Sequence, residues 1–167
     1  LIPKNNEVNV VLFKVLMGKY SVRSSLQVVC FALLLWSGSA SATGDVRVKV
    51  TGISNLVGTI RATLDGSELA FKNDAPNTQS AELAVTGNEV ELVFHNVPAG
   101  VYAVKVIQDE NNDNKLNQNL LGIPSEKYGI SNNVMGKFGL PAFKDASFNV
   151  SSGETVLSIE ISNHKFF

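Results

Sequence analysis

The sequence predicts an all-β fold: a single antiparallel β-sandwich of about seven strands, with one long ordered loop, preceded by a signal peptide. Three observations predict it. Apolar and polar residues alternate with a period of two over most of the chain after position 43. Gly, Asn and Pro interrupt that alternation at short intervals. No segment after the first forty or so residues sustains the 3.6-residue period of an amphipathic helix.

The N-terminal part reads as a leader. Met17 opens a better N-terminus than Leu1, with Lys19 and Arg23 as a positive head and an apolar run from Leu26 to Trp36. That run has the length of a signal-peptide core and is far short of the roughly 20 residues that span a bilayer. Ala40-Ser41-Ala42 is a small-x-small cleavage site. The expected organisation is an upstream mis-assigned start over 1–16, a signal peptide over 17–42, and one domain over 43–167. The only cysteine, Cys30, falls inside the leader, after Val28-Val29 rather than the small residue that lipidation requires. The domain then has no thiol for a disulfide, a metal or nucleophilic catalysis. The expected location is periplasmic or secreted.

Within 43–167, ten basic and fourteen acidic side chains leave a formal charge of −4, with no basic stripe. This excludes nucleic acid as the main partner, because phosphate recognition needs a basic face. A domain of this size buries a sufficient core without disulfides.

The elements follow in order. "DVRVKVTG" places Val46, Val48 and Val50 on one face; "TIRATLDG" does the same with Ile60, Ala62 and Leu64 and ends on the turn pair Asp65-Gly66. Residues 67–79 connect, with Leu69 and Phe71 expected to cap one end of the core. "SAELAVTGNEVELVF" reads as two strands joined by a tight hairpin at Gly87-Asn88, with Ala81, Leu83 and Val85, then Val90, Leu92 and Phe94, facing inward. Pro98-Ala99-Gly100 breaks the chain before the strand carrying Tyr102, Val104 and Val106. Two closing strands carry Phe148 and Val150, then Leu157, Ile159 and Ile161. Between them lies a polar insert, about 109–144. Its Gly and Pro residues rule out a long helix, and a loop of such length inside a small domain is more often functional than idle.

The insert opens as "DENNDNKLNQN". Side-chain oxygens recur at alternate positions, Asp109, Asn111, Asp113 and Asn117, with Lys115 offering its backbone carbonyl and Glu126 able to close the set from further along. Calcium takes six to eight oxygens from such a loop. With few charged ligands the expected affinity is weak, about 10⁻⁴ to 10⁻³ M, as in extracellular modules. The alternative reading is an Asx-rich loop whose side chains bond their own backbone. In the second half, Gly122, Pro124, Tyr128, Gly129, Ser131, Asn132 and Asn133 read as loop-structuring: Pro124 stiffens it, Gly129 allows a tight turn, Tyr128 packs at the core edge on Phe138 or Phe143, and the Ser and Asn side chains bond to backbone; the functional alternative is a polar lip around a ligand pocket.

These residues also carry a family resemblance. Pro98, Gly100, Tyr102 and Ala103; Asp109, Asn111, Asp113, Lys115 and Leu116; Gly122, Pro124, Glu126, Tyr128, Gly129, Ser131, Asn132 and Asn133; and Pro141, Phe143, Ala146 and Phe148 together resemble the pattern of the bacterial DUF2141 family. The chain departs from it at Asn114, where Gly is usual, and at Asn117, where Asp is usual, and both changes weaken a cation site. The resemblance implies a small exported β domain of no established activity. The strand opening at Pro98-Ala99-Gly100 also resembles prealbumin-like and carboxypeptidase-regulatory sandwiches, an analogy of fold alone.

Catalytic motifs are thin. His95 and His164 lie outside any metal-ligand spacing, and neither a His-x-Glu nor a Gly-x-Ser-x-Gly motif occurs. The sequence therefore points to a non-enzymatic, exported binding or envelope-associated module with a weak calcium loop at 109–119 and an unidentified protein or envelope partner. The alternative is a structural or protein-interaction domain without metal.

Overall fold

A computed structural model describes residues 42–73, 75–76, 79–136 and 139–163. The expected start and leader, Ala42 apart, lie outside the described residues, as do Phe138 and His164.

The fold is an all-β sandwich of two sheets. Its strands are β1 (Thr43–Thr51), β2 (Thr59–Asp65), β3 (Gln79–Ala84), β4 (Val90–Pro98), β5 (Gly100–Asp109), β6 (Tyr128–Ile130), β7 (Phe148–Val150) and β8 (Gly153–Glu160). Two single-turn helices interrupt them, α1 (Glu68–Phe71) and α2 (Phe143–Ala146). The first sheet has the order β4-β1-β8; the second has the order β3-β2-β5-β6, with β7 also against β5.

The period-two pattern sets the core. Val46, Val48 and Val50 of β1 face Ile60, Ala62 and Leu64 of β2 and Val104 and Val106 of β5 across the sandwich, with Leu92, Phe94, Ile159 and Ile161 completing the cluster. Each such Val, Leu, Ile or Phe side chain contributes about 1.5–3 kcal/mol on burial. A second, smaller cluster of Phe71, Ala103, Ile130 and Ala146 lies on the other face of β5. There α1 and α2 meet, with the Phe71 and Phe143 rings edge to face at 5.8 Å. Ser67 caps α1 by accepting from the Ala70 N–H at 3.1 Å.

Several expectations change. The segment around Gly87-Asn88 is not a hairpin turn. β3 pairs with β2, from Thr59↔Ala84 to Leu64↔Gln79, while β4 pairs with β1 in the other sheet. The connection is an arch between sheets, and neither residue has the positive φ that a tight hairpin turn requires. Leu83, expected inside, is 42% exposed because β3 is the edge of its sheet. Phe71 is fully buried, but in the small outer cluster; Leu69 is exposed. One pairing is parallel: β1 with β8, in register from Gly44↔Gly153 to Thr51↔Glu160. Every other strand pair is antiparallel. Among the described residues no helix is long and apolar enough to cross a membrane.

Candidate functional site

The polar insert leaves the end of β5, where Asp109 pairs with Thr59. The chain passes so close over Gly58 that a Cβ there would lie 2.1 Å from the Asp109 carbonyl oxygen, and Gly58 has φ +78°. Only glycine fits both conditions.

Two carboxylates then organise the loop. Asp109 is fully buried. Its Oδ1 accepts from the Asp113 N–H at 3.1 Å; its Oδ2 accepts from the Asn114 N–H at 2.9 Å and from Arg61 Nε at 2.6 Å. Burial pushes the Asp109 carboxyl up, but the Arg61 guanidinium and the two N–H donors outweigh it and hold the group below the ordinary aspartate range. Glu126 is buried as well. Its two oxygens accept from the Glu110 N–H and the Asn117 N–H, each at 2.9 Å. It clamps both ends of the first half of the loop.

Asp113 is exposed and equally engaged. Its Oδ1 accepts from the Lys115 N–H at 2.9 Å; its Oδ2 accepts from the Asn117 amide at 2.9 Å and the Asn111 amide at 3.2 Å. The Asn117 amide, despite some opposing burial, holds the Asp113 carboxyl low, with help from Asn111 and the Lys115 N–H. Asn111 Oδ1 accepts from the Asp113 N–H at 3.1 Å. The structure thus brings Asp109, Asn111, Asp113, Asn117 and Glu126 into one cluster, to which Lys115 contributes its backbone N–H. All six carboxylate oxygens of Asp109, Asp113 and Glu126 already accept N–H donors. Asn117 Oδ1 is buried without a partner.

Asn112 and Asn114 adopt left-handed conformations, φ 58° and 66°. Such backbone costs about 1–3 kcal/mol for a residue other than Gly, least for Asn. At the tip, Gly122 turns at φ 74° and Asn119 Oδ1 accepts from the N–H groups of Leu121 and Ile123. Pro124 bridges back to Gln118.

Beyond the tip, Gly129 does not supply a left-handed turn. Its role is close approach: a Cβ there would lie 2.7 Å from the Glu160 carbonyl oxygen and 2.8 Å from Ile159 Cγ2. Ser131 Oγ accepts from the Val104 N–H and donates to the Ala146 carbonyl. The Asn132 amide donates to the Asp145 and Ser147 carbonyls. Asn133 donates to the Ser158 carbonyl and accepts from the Glu160 N–H. These three side chains tie the segment to β5, α2 and β8.

The insert also builds a concavity, lined by residues other than Ser131, Asn132 and Asn133. It walls an open trough of about 810 Å³ over the outer face of the second sheet. Thr63, Ile107 and Tyr128 form part of the floor; Asn114, Leu116 and Gln118 form one wall, and Leu140 also borders the space. Two cations in the floor are neutralised from within. Arg61 pairs with Glu82 as well as Asp109. Lys105 Nζ lies 3.1 Å from the buried Asp65 Oδ2, donates to the Phe71 carbonyl and Asn73, and sits 5.4 Å from the Phe71 ring centroid. Arg61 and Lys105 sit at the outward positions of β2 and β5, and their partners lie on neighbouring strands, at the end of α1 and just after it. Tyr128 is half-buried in the floor, and burial raises its phenol pKa. Phe143 packs on Phe71.

His95 stands apart, on β4 in the first sheet. Its Nδ1 lies 2.8 Å from Asp45 Oδ2, and its side chain is 66% exposed. Among the described residues no hydroxyl bonds to that imidazole, and no group of three or more His, Cys, Asp or Glu side chains is arranged to hold a metal ion.

These features define a class: a small β-sandwich whose one long insert is locked by its own polar side chains against a sheet face. Residues 48–158 match a bacterial family described as an uncharacterized protein conserved in bacteria, DUF2141, and the chain belongs to that family. No curated protein and no solved structure matches the chain.

Proposed function

We propose that this protein is an exported, non-enzymatic binding module acting in the periplasm or outside the cell, with the trough over the second sheet as its binding surface. One observation carries the reading. Two buried carboxylates clamp the first half of the insert, and the same clamped segment supplies part of the wall of a space of about 810 Å³. That volume falls in the range of ligand sites, about 300–1,000 Å³. A wall ordered before binding lowers the entropy lost on association. The leader pattern over 17–42 supports export, and the exposed position of the His95–Asp45 pair, outside the trough lining, supports a role without catalysis.

The test is a titration of the isotope-labelled protein with size-fractionated extract of the host cell envelope, followed by NMR. Amide shifts centred on Thr63, Ile107, Leu116 and Tyr128 are expected. Shifts confined to the first sheet would sink the reading, as would an absence of shifts with every fraction.

A second reading is a weak calcium site at 109–119. The observation favouring it is the buried, unpartnered Asn117 Oδ1 inside the Asp/Asn cluster, an oxygen that a cation would satisfy. Calcium would have to displace N–H donors already in place, which fits weak affinity. At free calcium tenfold above the Kd, binding would add about 1.4 kcal/mol of stability. Thermal unfolding in EDTA and in millimolar calcium, with magnesium as control, decides it: a rise with calcium alone, abolished by Asp113→Ala, supports the site, and identical melts reject it.

A further inference from the structure

We propose that the trough takes a neutral, polyhydroxylated ligand, a short run of uncharged glycan; this rests on the reading of the trough as the binding surface.

The first argument is charge. Arg61 is shared by Glu82 and Asp109, and Lys105 pairs with Asp65, so the floor offers no unpaired cation to an anionic ligand. An anionic ligand would have to break pairs in which one carboxylate is buried, which is costly. Lys115, at the rim, is the one remaining charged side chain in the lining.

The second argument is the inventory of unused groups. The carboxamides of Asn114 and Gln118 and the phenol of Tyr128 make no side-chain hydrogen bond among the described residues, and all three border the trough. Each can both donate and accept. Groups of that kind match hydroxyls, which also do both, better than they match a carboxylate, which only accepts. Between them lie Ile107, Leu116, Leu140 and the Tyr128 ring, an apolar surface suited to the C–H faces of a sugar ring.

The third argument is the kind of surface. The floor is the face of a sheet, not its edge. Across β2 and β5 the backbone N–H and C=O groups are committed to the ladders of β2 with β3 and β5 and of β5 with β6, while β3, which borders the trough, is an edge strand. An extended peptide is usually held by strand addition along an open edge. Over β2 and β5 only side chains can read the ligand, and the ones available suit hydroxyls.

The experiment is NMR titration of the purified full-length protein with maltohexaose, xylohexaose and mannohexaose, against hexagalacturonate and a Ser/Gly/Thr dodecapeptide. At least one neutral hexasaccharide is expected to shift Ile107, Leu116 and Tyr128. Its affinity should fall at least tenfold in Gln118→Glu and Asn114→Asp, stay unchanged in Leu120→Ser, an exposed residue at the loop tip outside the trough lining, and hold constant as salt rises, because binding a neutral ligand screens no charge. If hexagalacturonate or the peptide shifts the trough and no neutral sugar does, the glycan proposal falls while the trough remains the binding surface. If a sugar binds but shifts residues outside the trough, or if neither the probes nor any envelope fraction shifts it, both fall.

Discussion

Glu126 gives the sharpest test of how the insert is held. Its carboxylate is buried and bridges two backbone N–H groups seven residues apart, those of Glu110 and Asn117. A hydrogen bond to a charged acceptor contributes about 1.5–3 kcal/mol, and a buried donor left unpaired loses comparable free energy. Glu126→Gln preserves size and shape. It keeps one acceptor but turns an NH₂ group toward the other N–H, so one bond is lost and a donor faces a donor. We expect a loss of about 2–4 kcal/mol, lowering Tm by roughly 10 °C in a domain of this size. Urea denaturation and thermal unfolding measure the first effect. Amide hydrogen exchange at Glu110 and Asn117 measures the second: both should exchange faster. Glu126→Ala separates clamp from filler. If Glu126 mainly fills space, Ala destabilises and Gln does not. A Gln variant within about 0.5 kcal/mol of the parent, with the Asn117 amide still protected, would refute the clamp.

Two further outcomes follow from the same geometry. Asp109 and Asp113 have carboxyls held below their ordinary range, so their contribution is complete above the unfolded value of 3.8 and is lost as pH falls through the lower folded values; the urea midpoint should drop below about pH 4, and less steeply in Asp109→Asn. Gly129→Ala would force a methyl group against the Glu160 carbonyl and Ile159, costing about 1–3 kcal/mol; chemical denaturation showing no loss would mean that β8 can shift away.

The strands were legible in the sequence and their partners were not. Alternation in β1, β2, β5 and β8 identifies which side chains go inward, because successive residues of any strand face opposite ways. It says nothing about which strand lies alongside, or in which direction. The same Val46-Val48-Val50 pattern serves an antiparallel neighbour, β4, and a parallel one, β8. Gly87-Asn88 reads as a hairpin turn, yet pairing across the sandwich decides the outcome. β3 finds β2, β4 finds β1, and the link between them becomes an arch.

At the site, proximity in sequence made the difference. Asp109, Asn111, Asp113 and Asn117 lie within nine residues, so their grouping is a local matter of Asx chemistry. Arg61 is 48 positions from Asp109 and meets it only because β2 and β5 are neighbours. The trough is less legible still, since a concavity depends on what lies beside a sheet, and the sheet face alone would be flat.

The loop's chemistry and the trough's then explain each other. Asn114 is held at φ 66° by the bond from its N–H to Asp109, the same carboxylate that neutralises Arg61 in the floor. One buried group therefore bonds the wall and pairs with the cation in the floor beneath it. The Asn114 carboxamide is left over, its backbone N–H bonded to Asp109 and its side chain without a hydrogen-bond partner among the described residues. A loop built to bind an ion would spend such oxygens on the ion. A loop built to present an ordered wall spends its carboxylates on its own backbone and neighbouring side chains, and here it leaves the carboxamides of Asn114 and Gln118 at the trough. Apart from Asn117 Oδ1, the hydrogen bonds of this insert follow the second pattern.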